Sequence, residues 1–190
     1  MKRVLLDYRY SRRKADPAAD AAPLEDGYWR RKTLTQMSER EWEALCDNCG
    51  KCCVISLEDA DNGTLYLTDV SCKLFDAKKC QCSDYADRKK YVPDCVKLTP
   101  KNVPKLDWLP RTCAYRLVSE GQDLFWWHPL ISGDPETVHV ARASARNRTR
   151  PQGRLQVPGL MKRIVQWPEP LAEPPKKKRK TPPRRRLSRR

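Results

Sequence analysis

Cys46-Asp47-Asn48-Cys49-Gly50-Lys51-Cys52-Cys53 places four cysteines in eight positions. A thiol that only fills a core does not need three neighbours of its own kind. Thiolate sulfur is a soft, strong donor for zinc and for iron–sulfur clusters. Two cysteines separated by two residues can turn their sulfurs toward one ion, and Gly50 lets the chain bend between them without a Cβ penalty. Cys46, Cys49 and Cys52 therefore offer three sulfurs to one centre. Cys53 is the odd member. Adjacent side chains diverge, so Cys52 and Cys53 are awkward ligands for a single ion. They serve two metals, or one of them is a redox-active thiol.

Further along lie Cys72, the Cys80-Gln81-Cys82 pair and Cys95. Together with the first four they make eight, enough for two four-sulfur sites or for one cluster with spare thiols. The candidate ligands are thus Cys46, Cys49, Cys52, Cys53, Cys72, Cys80, Cys82 and Cys95. A run of three cysteines with a remote fourth suits a [4Fe–4S] cluster, and paired C-x-x-C turns suit zinc equally well. The ninth cysteine, Cys113, falls in a predicted helix and reads as a small buried hydrophobe. An odd total fits poorly with complete disulfide pairing. Metal or cluster binding is preferred over a redox switch, and both over inert burial.

The rest of the chain supports a small fold that needs such a staple. Of 190 residues, 39% are hydrophobic, 16 are proline, and mean hydropathy is −0.82. These values are low for a chain that relies on a large apolar core. The formal net charge of +15 is placed at the ends. Residues 176–190 hold ten Lys or Arg and no acid, and residues 1–14 hold six bases and one acid, which leaves the middle neutral. Nucleic-acid affinity, if present, belongs to the tails, chiefly weak contact through residues 176–190. No stretch approaches a membrane span, and the apolar run Val4–Leu6 is too short for a secretory leader. A reducing cytoplasm is the expected location, where dense cysteine reads as metal binding or redox chemistry.

The expected organisation is a basic arm with an Ala/Pro linker (1–26), a cysteine-cluster domain (27–145), and a basic, Pro-rich tail (146–190), with both ends disordered. The expected fold class is a small α+β, loop-rich, metal-stapled single domain. Ser38 with Glu41 forms a capping box that starts a short helix leading into Cys46, with Met37 and Trp42 placed for a hydrophobic staple. Val54–Leu57 and Thr64–Thr68 flank the turn at Asp61-Asn62-Gly63 as a hairpin. Thr99-Pro100 and Leu109-Pro110 read as helix starts, with Gly121 at the end of the second helix. Val138 and Val140 alternate as in a last strand, with His139 facing solvent. The stretch from Cys72 to Cys95 reads as loop. His128, before Pro129, is a packed histidine rather than a ligand, and Trp126-Trp127 are core rather than base-stacking residues. Asp84, Asp87 and Asp94 read as solvated loop carboxylates. No phosphate loop, nucleophile elbow or zinc-protease motif occurs.

The segment CDNCGKCC resembles the signature C-x-x-C-x-x-C-C of a cysteine-cluster family described as zinc- or iron-chelating. The resemblance continues through Cys72-Lys73-Leu74-Phe75, Cys82 with Tyr85 and Arg88, and Cys95 after Pro93-Asp94. Within that family, residues 28–130 are similar to the YcgN-type group through EWEALC, CQCSDY, PDCVKLT, WLPRTCAYRL and WHPL. This bacterial group has no assigned activity. The resemblance implies metal chelation at Cys46, Cys49, Cys52, Cys53, Cys72, Cys82 and Cys95, with Cys80 belonging to the narrower group's C-x-C pair. It implies nothing about the tails. Three readings follow: a structural or sensing metal protein, a redox or electron-transfer component carrying an iron–sulfur cluster, and an RNA- or DNA-associated module acting through its tail.

Overall fold

The computed structural model describes residues 23–175. The basic arm, the linker as far as residue 22, and the 176–190 tail with its suggested nucleic-acid contact lie outside the described residues. The chain adopts a small, mixed α/β architecture of short helices, few strands and long connections. Helix α1 (Tyr28–Arg31) is followed by α2 (Glu39–Ala44). The capping box of α2 is formed: Ser38 Oγ accepts from Glu41 N at 3.3 Å, and Glu41 Oε2 accepts from Ser38 N at 2.9 Å. Glu41 is buried, and its other carboxylate oxygen takes Lys32 Nζ at 2.7 Å. Tyr28 fastens the same turn by donating its hydroxyl to the Glu41 carbonyl at 2.7 Å. The end of α2 therefore has a fixed position, and Cys46 leaves from it.

Apolar packing is divided among three clusters. The first gathers Tyr28, Trp29, Leu34, Leu45, Val103, Leu109, Ala114, Tyr115, Leu117 and Leu124, with Met37 and Trp42 against it. The second holds Cys49, Trp127, Val138, Ala141 and Ala143. The third holds Val54, Phe75, Cys80 and Ala145. Trp126 packs edge-on against Trp127, which is buried, so the tryptophan pair builds core as expected.

The hairpin of β1 (Val54–Glu58) and β2 (Leu65–Ser71) forms as the sequence indicates, with β2 longer than expected. A bulge between Val54 and Ser56 shifts the register, and Thr68 Oγ1 closes it by donating to the Ile55 carbonyl at 2.7 Å. The stretch read as loop contains a second hairpin, β3 (Phe75–Asp76) with β4 (Gln81–Cys82). Its turn is set by Asp76, whose carboxylate accepts from Lys78 N and Lys79 N. Helix α3 (Arg88–Tyr91) follows.

Helix α4 (Ala114–Ser119) begins later than Leu109-Pro110 indicates. Pro110 instead opens a turn closed by Cys113 N on its carbonyl at 2.8 Å, which makes Cys113 the N-cap rather than an interior residue. The other end matches the expectation. Gly121 has φ +68°, and Gln122 N reaches the Leu117 carbonyl at 2.8 Å, a Schellman ending. Thr99 and Asn102 cap each other's amides, but only a single tight turn over Val103–Lys105 follows, not a helix.

After α5 (Pro129–Ser132), the expected strand at Val138–Val140 is instead helix α6 (Thr137–Val140). Val138 and Ala141, three apart, are the fully buried pair, a helical rather than an alternating pattern. His139 is half-buried and its Nδ1 lies 2.7 Å from Ser144 Oγ, so it does not simply face solvent.

The domain's packing also extends on both sides of 27–145. Leu24 packs on the first cluster. Strand β5 (Arg150–Pro151) joins β2 in parallel, and α7 (Val157–Met161) follows. Asp69 pairs with both Arg150 and Arg163, Trp167 Nε1 donates to the Thr68 carbonyl at 3.1 Å, and Leu171 N donates to the Ala141 carbonyl at 2.9 Å. Charge and proline content marked this stretch as tail. Backbone pairing and two or three anchors hold it to the sheet nonetheless.

Gly50 joins the cysteine loop to the β3/β4 hairpin. Its φ is +70°, and a Cβ there would lie 2.5 Å from Phe75 Cζ and 2.8 Å from Cys80 Sγ. Gly50→Ala therefore combines left-handed strain with overpacking, and should destabilise the chain by about 2–4 kcal/mol in urea unfolding; an unchanged midpoint would contradict this packing. A second test concerns Asp123, which accepts Trp29 Nε1 at 2.9 Å and a two-pronged Arg30. The Arg30 guanidinium, helped by Trp29, holds its carboxyl down at about 2, from an ordinary 3.8. A depressed carboxylate contributes stability above its ordinary range and loses it as pH falls through the folded value. Because the pair is half-exposed, Asp123→Ala should cost only about 1 kcal/mol at pH 7. The gap to wild type should close as pH drops from 3.8 to about 2. A gap that persists unchanged in acid would show that the carboxylate is not its source.

Candidate metal centre

The cysteine loop is shaped by its own polar groups. Asp47 is buried, and its Oδ1 accepts from Cys49 N at 3.0 Å, which folds residues 47–49 into an Asx turn. Asn48 and Gly50 take positive φ, and Lys51–Cys53 form one 3₁₀ turn. The Cys49 carbonyl accepts from Ala145 N at 2.7 Å and from Cys80 Sγ at 3.3 Å. His128 holds the approach to the loop. Its Nδ1 accepts from Leu130 N at 3.1 Å, so its Nε2 carries the proton and donates to the Leu45 carbonyl at 3.0 Å. Burial lowers its pKa, and both ring nitrogens are engaged. It is the packed histidine that the sequence indicates, with neither nitrogen left for a metal.

Cys46, Cys52, Cys53, Cys72, Cys80, Cys82 and Cys95 line one cavity of about 320 Å³, with Trp42, Phe75, Leu98, Trp108 and Tyr115 among its apolar walls. Seven of the eight predicted ligands therefore share one space, although the chain between them runs from residue 46 to 95. Cys49 is buried behind this wall in the second cluster. Cys113 is half-buried, and packs on the first cluster beside Cys46. A wider groove of about 820 Å³ adjoins the cavity, sharing Trp42, Glu43, Cys82, Tyr85 and Arg88 with it. Arg88 lies over the Tyr85 ring at 3.9 Å. Of the three loop aspartates, Asp87 and Asp94 are exposed and Asp84 is half-buried, its Oδ1 accepting from Asp87 N at 3.1 Å.

The thiols are held in their protonated form. Burial pushes Cys46 and Cys49 well up, and the Asp47 charge adds to it. Cys52 is raised chiefly by its hydrogen bond with Cys53. Burial pushes Cys80 up to about 12 and Cys113 to about 11, and raises Cys82. Among the described residues, no three His, Cys, Asp or Glu side chains stand close enough to enclose an ion as they are placed. The chemistry of the donor set fits a soft metal all the same: the groups gathered around the cavity are overwhelmingly sulfur, in apolar surroundings. A metal would displace the thiol protons and draw the loops together in one event.

Two residues of this region escape a reading by motif. Asp47 sits inside the signature as a variable position, and nothing in the sequence marks it as buried. Cys113 left one signal, the odd cysteine count, but its place beside Cys46 depends on α4 meeting α2.

No helix among the described residues is long and apolar enough to cross a membrane. Residues 45–114 match the C-x-x-C-x-x-C-C family described as "Putative zinc- or iron-chelating domain". Over 146 residues the chain is 55% identical to a UPF0260 protein of Rhizobium leguminosarum bv. trifolii, covering 77% of this chain and 91% of the relative. A UPF0260 protein of Nitrobacter hamburgensis is 54% identical over 162 residues, 84% of this chain and 94% of its own length. One from Rhodopseudomonas palustris is 56% identical over 155 residues, 80% and 90% respectively. No solved structure matches the chain. With its signature cysteines gathered at one cavity and these relatives matched over most of their length, the chain belongs to the UPF0260 family of cysteine-cluster proteins.

Proposed function

We propose that this chain is a metal-binding protein that holds zinc or iron, the latter as an iron–sulfur cluster or as the ion, in a structural or sensing role. The ligands are drawn from Cys46, Cys49, Cys52, Cys53, Cys72, Cys80, Cys82 and Cys95. The observation that carries the reading is the convergence of seven of these cysteines on one cavity from four separate segments of chain. The family's description as zinc- or iron-chelating supports the same donor chemistry. A structural role is favoured by where the loop lies. Its residues enter all three apolar clusters, each small, so a metal bound there would fasten them to one another. When bound, the metal supplies sulfur–metal bonds and a positive charge that offsets the thiolates.

This chain's own residues prepare the site. Asp47 sets the Cys46–Cys49 turn, Gly50 lets the loop close on Phe75, and the Leu45 carbonyl is fixed by His128. The raised thiols mean that loading releases protons and weakens as pH falls.

The test is purification without oxygen from cells supplied with iron and zinc, followed by a visible spectrum and a count of zinc, iron and acid-labile sulfide per chain. The expected result is stoichiometric metal whose removal by a chelator lowers the unfolding temperature. A metal present at about a thousand times its dissociation constant stabilises by about 4 kcal/mol. A brown protein with matched iron and sulfide assigns a cluster, and a colourless one with zinc assigns zinc thiolate. A folded protein free of both metals sinks the proposal.

A further inference from the structure

Cys52 and Cys53 are adjacent in one turn, and the structure shows what lies on either side of them. Cys53 is the cross-strand neighbour of Cys72 at the end of the β1–β2 ladder, where Cys72 N donates to the Cys53 carbonyl at 2.9 Å. Both pack on the third cluster. The β3/β4 hairpin then folds back, pairing Cys82 with Phe75 and bringing Ser83 N to the Leu74 carbonyl at 2.7 Å. Cys82 therefore returns beside Cys72, and Cys95 faces them across the cavity. The charges of Cys72 and Cys95 are both felt at Cys82.

The other side belongs to Cys46 and Cys49. Cys46 leaves the end of α2, and Cys113 caps the start of α4. Those two helix ends are pinned together, since the Tyr115 hydroxyl donates to the Trp42 carbonyl at 3.0 Å and their rings lie 4.4 Å apart. Cys46 and Cys113 pack on the same first cluster. Charges on Cys52 and Cys113 reach both Cys46 and Cys49. Cys80 is placed differently. It is 1% exposed, its Sγ–H is spent on the Cys49 carbonyl, and its sulfur fills the space beside Gly50.

We infer that the thiols divide into two four-sulfur centres, Cys46, Cys49, Cys52 and Cys113 in one and Cys53, Cys72, Cys82 and Cys95 in the other, with Cys80 as a packing thiol between them. This rests on the metal reading above and alters its ligand set at two positions, adding Cys113 and removing Cys80. The vicinal cysteines are then the partition. One turn of backbone sends one sulfur to each centre, which resolves their awkwardness as ligands of a single ion.

The test loads the full-length chain with zinc alone and counts bound zinc in wild type and three variants. Wild type should hold about two ions per chain, as eight thiolates in tetrahedral sets require. Cys113→Ser and Cys95→Ser should each lose about half, and Cys80→Ser should lose none. Two zinc ions retained by Cys113→Ser, one lost by Cys80→Ser, or a single ion in wild type would each overturn the division. Should Cys113→Ser fail to fold, alkylation of the wild-type chain decides, because Cys113 should be protected when zinc is bound and labelled once it is stripped. Equal labelling in both states overturns the division while leaving the metal reading intact. A wild-type chain that binds neither zinc nor iron overturns both.

Discussion

Between Leu45 and Val54 the backbone must satisfy three separate apolar clusters. Leu45 belongs to the first, Cys49 to the second, and Val54 with Cys53 to the third. No cluster of this size resembles the core of a self-sufficient domain, so the segment that touches all three governs how they sit together. Its shape is held by short-range devices. Asp47 folds the first turn, Gly50 lets the loop approach Phe75 and Cys80, and the Cys49 carbonyl takes two donors. Neighbouring parts of the chain converge on the same carbonyls. Ala145 N meets Cys49, and His128 meets Leu45, so residues far along the sequence depend on the loop as much as it depends on them.

This arrangement has an electrostatic consequence. The thiols lie largely out of water, beside a buried carboxylate, and are held in the neutral form. Several thiolates so close together would be strongly unfavourable without a cation among them. A soft divalent metal or a cluster removes that penalty and draws the loops together, which couples loading to folding. The polar groups around the site fit this economy. His128 uses both nitrogens on backbone, and Asp47 uses its carboxylate on a backbone amide, so neither competes with sulfur for an ion.

The adjoining groove gives the site a second environment. It shares Trp42, Glu43, Cys82, Tyr85 and Arg88 with the cysteine cavity, so one face of the thiol cluster borders an open, mixed-charge surface while the other is sealed by aromatic rings. Arg88 stacks on Tyr85 at that border and is the cation nearest to Cys82, whose thiol it lowers slightly against the rise from burial.

Local sequence determined those features whose cause is local. The Ser38–Glu41 capping box, the hairpin around Asn62-Gly63, the Schellman ending at Gly121 and the packed His128 could be read from a few adjacent residues, because each is fixed by hydrogen bonds within one or two turns. The soft-donor character of the site was equally legible, since four cysteines in eight residues have few other uses. Other features were decided only in three dimensions. Val138 and Val140 alternate like a strand, yet Val138 turns inward on a helix because Ala141 shares its face against Trp127. The stretch after residue 145 has the composition of a tail, yet Asp69, Thr68 and Ala141 hold it in place through partners about thirty to a hundred positions away. The neighbours of each thiol depend on the pinning of α4 to α2 and on the return of the second hairpin. Sequence spacing can state that sulfur is gathered, but which sulfur faces which is a matter of how distant segments pack.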